Sequence, residues 1–242
     1  MMLSAEAARL AAIEALSPTA ANQGGGAFPT LAGARIFDSR SAALNELDDR
    51  SEWDGYTPVV AVYSRQARAD TRGEAAEFDD TDASIEIEFV AELAVVAEDE
   101  GVPFVDAMAG DDPEARLVLA ALCGQIRRVL LFAPEGDLFR HMIRAVRRVD
   151  WEPFAVPELG LRFQRTTMRL TCMARDDVFS DEAGLPEPLR TLAARLPANS
   201  YARSRLDQLG AHFSAIGRTP LADIRIAPEA EGEFVSSTGD LR

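Results

Sequence analysis

Ile85-Glu86-Ile87-Glu88-Phe89-Val90-Ala91-Glu92-Leu93-Ala94-Val95 is a strand written in period two. Ile85, Ile87, Phe89, Ala91, Leu93 and Val95 alternate with Glu86, Glu88, Val90, Glu92 and Ala94, so one face is apolar and the other mostly acidic.

Upstream, Pro58-Val59-Val60-Ala61-Val62-Tyr63 reads as a buried strand with Pro58 tolerated at its start. Residues 64–84 between the two strands are polar, too long for a tight turn, and read as a loop. Ala34–Asp38 is a short strand, and residues 39–55 are polar loop ending near Trp53 and Tyr56. Ser4 is placed to cap a first helix through Leu16, with Leu10, Ile13 and Leu16 at helical spacing and Pro18 closing it. Gly24-Gly25-Gly26 lacks a following Gly-Lys-Ser or Gly-Lys-Thr and precedes Phe28-Pro29, which makes it a turn rather than a phosphate cradle.

Downstream, Asp112 at the cap and Pro113 in the first position start a helix that runs to about Phe132, with Leu117, Leu122, Ile126 and Val129 expected on its buried side. Residues 137–152 begin as a helical turn and continue as a strand, with Arg144 and Arg148 opposite Ala145, Val149 and Trp151. Leu161–Met173 is the last core strand; its alternation slips between Phe163 and Met168 as a bulge would make it, and its polar face holds Arg165, Thr167, Arg169 and Thr171. If it lies antiparallel to the strand from Ile85, then Glu86, Glu88 and Glu92 face Arg165 and Arg169, within one sheet or between subunits. Such cross-strand pairs contribute about 0.2 to 1 kcal/mol each. Pro186–Leu196 and Asn199–Phe213 follow as two helices, the second capped by Ser200 or Asn199, and an extended tail begins at Gly217.

These elements predict an α+β fold: a small mixed or antiparallel sheet packed by helices, with a C-terminal helical extension. The expected division is a core over residues 1–177, the helical extension over 178–216 and the tail over 217–242.

Charge is distributed unevenly. Residues 70–114 hold sixteen Asp and Glu against Arg72 alone, which equals the formal net charge of −15. Residues 115–175 then carry eleven Arg against five acids. Segregated charge of this kind steers association and fixes register, which points to assembly before catalysis. Candidate subunit or partner contacts are Arg65, Arg68, Arg72, Asp79, Asp80 and Asp82 in the loop, with Glu86, Glu88, Glu92, Arg165 and Arg169 on the strands. Trp151 and Phe154, beside Pro153 and Pro157, read equally as an interface anchor or as core.

Every basic residue is Arg, so a phosphate-loop, Schiff-base or kinase lysine is excluded. Asp79, Asp80 and Asp82 lack the glycine and terminal glutamate of a calcium loop, and His141 and His212 stand far apart without zinc-site spacing. Neither a Gly-x-Ser-x-Gly elbow nor a dinucleotide fingerprint occurs. The expectation is a non-enzyme that uses no cofactor and no metal, with a metal-dependent enzyme the weakest alternative. Overall acidity argues against a dedicated nucleic-acid binder. The chain shows no visible signal peptide, no apolar run reaches the length of a membrane span, and Cys123 and Cys172 fall in apolar segments, as suits a reducing cytoplasm.

The order helix, short strand, Pro58–Tyr63, polar loop, Ile85–Val90, helix, and the late pair Val146–Trp151 and Leu161–Met173 is similar to that of the tail terminator family of long-tailed phages, the lambda-type minor tail protein U family. The resemblance covers roughly residues 5–176; the Gly24 region, residues 40–54 and everything after Asp177 depart from it. It implies a structural virion protein of the tail or neck, assembled in the bacterial host cytoplasm. Its subunits would close into a homo-oligomeric ring, hexameric by analogy, at the head-proximal end of the tail tube. The implied partners are the tail tube protein and a head–tail connector protein, with DNA passing through the lumen without specific binding and no membrane involved. The additions suit a gene transfer agent or a variant tail, and another neck component, a head completion or connector protein, is the alternative.

Overall fold

The computed structural model describes residues 2–40, 57–71, 81–99, 102–107, 113–156, 163–179 and 184–214. In chain order these form α1 (Leu3–Leu16), α2 (Thr19–Asn22), β1 (Ile36–Asp38), β2 (Thr57–Thr71), β3 (Thr81–Asp99), β4 (Val102–Ala107), α3 (Pro113–Leu131), α4 (Asp137–Met142), β5 (Ile143–Val156), β6 (Phe163–Ala174), α5 (Leu189–Arg195) and α6 (Tyr201–Ser214). The strands make one mixed sheet in the order β1-β2-β3-β6-β5, with β4 also pairing β3. Only β1 with β2 is parallel; the other pairs are antiparallel. The fold is α+β, as the order of elements predicts.

β3 is the centre. Ile85, Ile87, Phe89, Ala91 and Leu93 are buried on the helix side, beside Val60 and Val62 of β2 and Met168, Leu170 and Cys172 of β6. Fully burying a side chain such as Phe89 or Leu93 stabilises the fold by about 1.5 to 3 kcal/mol. Against this face lies α1, buried on nearly all its sides through Ala7, Ala8, Leu10, Ala11, Ala12, Ile13, Ala15 and Leu16. Alanine lets neighbouring backbones approach closely, so the sheet packs on one side of this helix while α4, α5 and α6 pack on others. The helices beyond residue 177 therefore join the core rather than stand off it: Leu189, Leu192, Leu196 and Leu206 belong to the same apolar cluster.

Several local expectations are corrected. Ser4 does not cap α1; the N-cap is Met2, and the free N–H groups of Leu3 and Ser4 each donate to the Asp177 carboxylate at 2.8 Å. A residue 173 positions away thus replaces the local cap, and Ser4 is buried within the first turn. Residues 64–84 are not one long loop. β2 runs on to Thr71 and β3 starts at Thr81, paired directly as Thr71↔Thr81, so cross-strand pairing overrides the polar composition. The bulge expected in the last strand lies elsewhere: β6 keeps unbroken register with β3 from Arg165 to Ala174, while β5 slips at Ile143/Ala145 and Val146/Arg148. Those slips take Ala145 off the side shared by Val149 and Trp151, contrary to the alternation read from sequence.

α3 begins at Pro113 as predicted, and Asp112, the expected cap, lies outside the described residues. Leu122, Ile126 and Val129 are buried, but Leu117 is 70% exposed. The core stripe runs through Ala115, Leu119, Leu122, Cys123, Ile126 and Val129, and Leu117 falls off it at helical spacing. α6 is capped by Ser200, whose hydroxyl accepts the Arg203 N–H at 3.0 Å. Tyr201 donates to Asp38 at 2.8 Å, tying α6 to the end of β1, and Arg9 of α1 pairs with the same carboxylate. Among the described residues no single helix is long and apolar enough to cross a membrane; α3 and α4 pass that test only as a pair bent by 64°. The 39–55 loop apart from residues 39 and 40, and the tail from Gly217, lie outside the described residues.

Candidate functional site

Among the described residues the sheet has one face without helices, and the strand residues singled out by sequence collect there. Period two does most of this: Glu86, Glu88, Val90 and Glu92 share a parity on β3, and Arg165, Thr167, Arg169 and Thr171 share one on β6. The antiparallel register then sets Glu88 opposite Arg169, Glu92 opposite Arg165 and Glu86 opposite Thr171. The expected pairing therefore occurs within one sheet, for two of the three acids.

The Arg169 Nε donates to Glu88 Oε2 at 2.7 Å, and its Nη1 donates to Glu152 of β5 at 2.6 Å. Those hydrogen bonds, Glu88 first, raise the Arg169 pKa further above its already high range. A β-bulge in β2 supplies a second cation. Between Ser64 and Gln66 the register with β3 skips Arg65, which leaves Arg65 as the extra residue and brings its Nε to 3.5 Å from Glu88. Glu88 is only 7% exposed, so this carboxylate sits in a nearly closed cage of two guanidinium groups.

Glu92 is placed differently. Burial raises its pKa and the neighbouring Arg165 pulls it back, with burial the larger influence. Arg165 stacks on Phe154 of β5, its guanidinium carbon 4.5 Å from the ring centre, and its Nε is buried without a hydrogen-bond acceptor. Between these groups lies a polar hollow of about 280 Å³, lined also by Ala61, Tyr63, Val90 and Thr167.

The remaining candidates divide. Arg68 is exposed and bonded to Asp70 of its own strand at 2.7 Å. Asp82 is half-buried on β3 opposite Asp70. Arg72, Asp79 and Asp80 lie outside the described residues. Thr167 lies on this face as its strand parity predicts, and sequence reading missed Tyr63, Glu152 and Phe154; Tyr63 could have been found by extending the strand parity, whereas Glu152 and Phe154 depend on the β5 bulges. Trp151 and Phe154 prove to be surface residues, 46% and 40% exposed.

Glu88 and Glu92 each face an arginine, and among the described residues no group of three His, Cys, Asp or Glu could hold a metal ion. Cys123 and Cys172 are buried free thiols, and burial pushes them up to about 11 and about 12. His141 and His212 are exposed on separate helices.

Fold and face together define an α+β chain with a helix-covered core and a charged sheet face that no described helix covers. The chain matches no protein-family model and no curated protein.

Proposed function

We propose that the chain is a structural subunit of a phage-like tail. It closes into a ring at the head-proximal end of the tail tube, terminates tube polymerisation and presents the surface that joins the head. The observation that carries this reading is the order of elements within one mixed sheet: helix, short parallel strand, the adjacent strands β2 and β3, helix, then the antiparallel pair β5 and β6. That is the order on which the likeness to the tail terminator family rests. The charged face adds support, because its cross-strand pairs make a broad polar sheet surface suited to contact with another subunit.

In this reading the chain is not an enzyme and works without cofactor or metal. Its partners are further copies of itself, the tail tube protein and a connector protein, and DNA passes the ring without specific contacts. The subunit is made in the bacterial cytoplasm and ends in the neck of a virion or gene transfer agent. Deleting the gene and imaging particles by electron microscopy tests this. Overlong or headless tubes are expected; tailless filled heads would move the chain to a connector role, and normal particles would refute both.

A further inference from the structure

At the margin of the sheet, on the helix side, Arg127 of α3 lies over two exposed aromatic rings: 5.5 Å from that of Trp151 on β5 and 6.0 Å from that of Phe132 just past α3. Phe132 is 70% exposed. Arg128 on the same helix and Arg144 and Arg147 on β5 are exposed and form no ion pair with a described carboxylate. Aromatic rings gathered around arginine make the composition of interface hot spots, and a cation held over a ring is oriented at little entropic cost.

The backbone edge beside this patch is closed to an added strand. β5 is the last described strand of the sheet, and its edge is broken by two bulges and carries Pro153, which has no N–H to give. A partner therefore meets side chains here rather than lengthening the sheet.

The complement lies at another part of the same chain. β3 loses β6 after Glu92 and β2 after Ala94, and from Val95 to Asp99 it pairs only with β4 among the described residues. Five residues of strand carry this ribbon about 16 Å past the last described pairs of β3 with β2 and β6. Glu98 and Asp99 lie on its β3 side and Asp106 on β4, and residues 94–107 contain no basic residue. A two-stranded ribbon is marginally stable by itself in water, so this one gains by docking.

We infer that the Phe132–Arg127–Trp151 surface of one copy receives the acidic β3–β4 ribbon of a second copy. The two patches differ, so the contact is head-to-tail and repeats around a ring. This inference rests on the ring reading above and names the contact that closes it.

The test is sedimentation velocity of the full chain at low salt and at about 0.5 M salt, where exposed charge attraction is screened. Wild-type protein associates at low salt and dissociates at high salt. Arg127→Glu with Arg147→Glu weakens association by about tenfold or more, as does Glu98→Arg with Asp99→Arg. Mixing the two variants restores it, since each then offers the other a complementary patch. Unfolding midpoints equal to wild type show that the exposed substitutions leave the fold intact. A wild-type chain monomeric at every salt concentration, variants that associate like wild type, or a mixture that fails to recover would each overturn the inference. Overlong tails from the deletion strain, found together with any of these results, would leave the terminator reading standing and reject only this contact.

Discussion

Arg169 holds Glu88 across the β3–β6 ladder at 2.7 Å, and Arg65 stands 3.5 Å from the same carboxylate on the opposite side. The two cations are unequal. Arg169 is 29% exposed and makes a charge-assisted hydrogen bond, whereas Arg65 is 58% exposed and lies beyond hydrogen-bonding distance. Removing Arg169 leaves a nearly buried carboxylate poorly answered, while removing Arg65 deletes a solvent-screened neighbour. Arg169→Ala is expected to cost about 2 kcal/mol, and Arg65→Ala less than about 0.5 kcal/mol, by urea denaturation. Equal losses would mean that Arg65 anchors Glu88 as firmly as Arg169 does.

Asp177 predicts a second contrast. It accepts the N–H groups of Leu3 and Ser4 and so joins the end of the sheet to the start of the central helix. Its negative charge also suits the positive end of the helix dipole. Asp177→Ala should lower stability by about 1 to 2 kcal/mol. Ser4→Ala should be neutral or slightly stabilising, because the Ser4 hydroxyl is buried without a partner. The reverse ranking in thermal unfolding would restore Ser4 as the cap.

The difference between these residues shows where sequence reading stops. The sheet face was legible because period two is a local property: Glu88 and Arg169 could be set opposite each other once two strands were taken as antiparallel. Ser4 satisfied every local rule for a cap, yet a carboxylate from beyond β6 occupied the position, and no local pattern encodes that contact. Residues 64–71 misled for the opposite reason. Their polar composition reads as loop, but β3 offers them a full ladder, and backbone pairing does not depend on side-chain polarity. The bulges in β5 were equally hidden, so Trp151 and Phe154 could not be assigned to surface or core from sequence.

Two glycines give opposite predictions. The position a Cβ would take on Gly136 is occupied by the backbone carbonyl oxygens of Val129 and Leu130, which cannot move without opening the end of α3. Gly136→Ala is expected to destabilise by about 3 kcal/mol. Gly124 lies exposed within α3 with nothing near its missing Cβ, so Gly124→Ala should stabilise by about 0.5 to 1 kcal/mol. Urea midpoints of both variants check the packing of α3 against the turn that follows it.

Glu92 carries a pH prediction. Burial, opposed less strongly by Arg165, raises its pKa above the ordinary value of 4.5. Between the unfolded value and the raised folded value, the folded chain keeps a proton that the unfolded chain has released. Stability therefore falls as pH rises through that window and stays lower above it, the reverse of a carboxylate whose pKa is depressed by pairing. Glu92→Gln removes the cost of ionising this buried group. The variant should be more stable than wild type at neutral pH, and its advantage should disappear below about pH 4, where both side chains are neutral in both states. A variant less stable than wild type at neutral pH, with the gap growing as pH rises past the ordinary carboxylate range, would mean that attraction to Arg165 outweighs burial. Glu92 would then act as a second clamp on the sheet face, like Glu88, rather than as an acid held there at a cost.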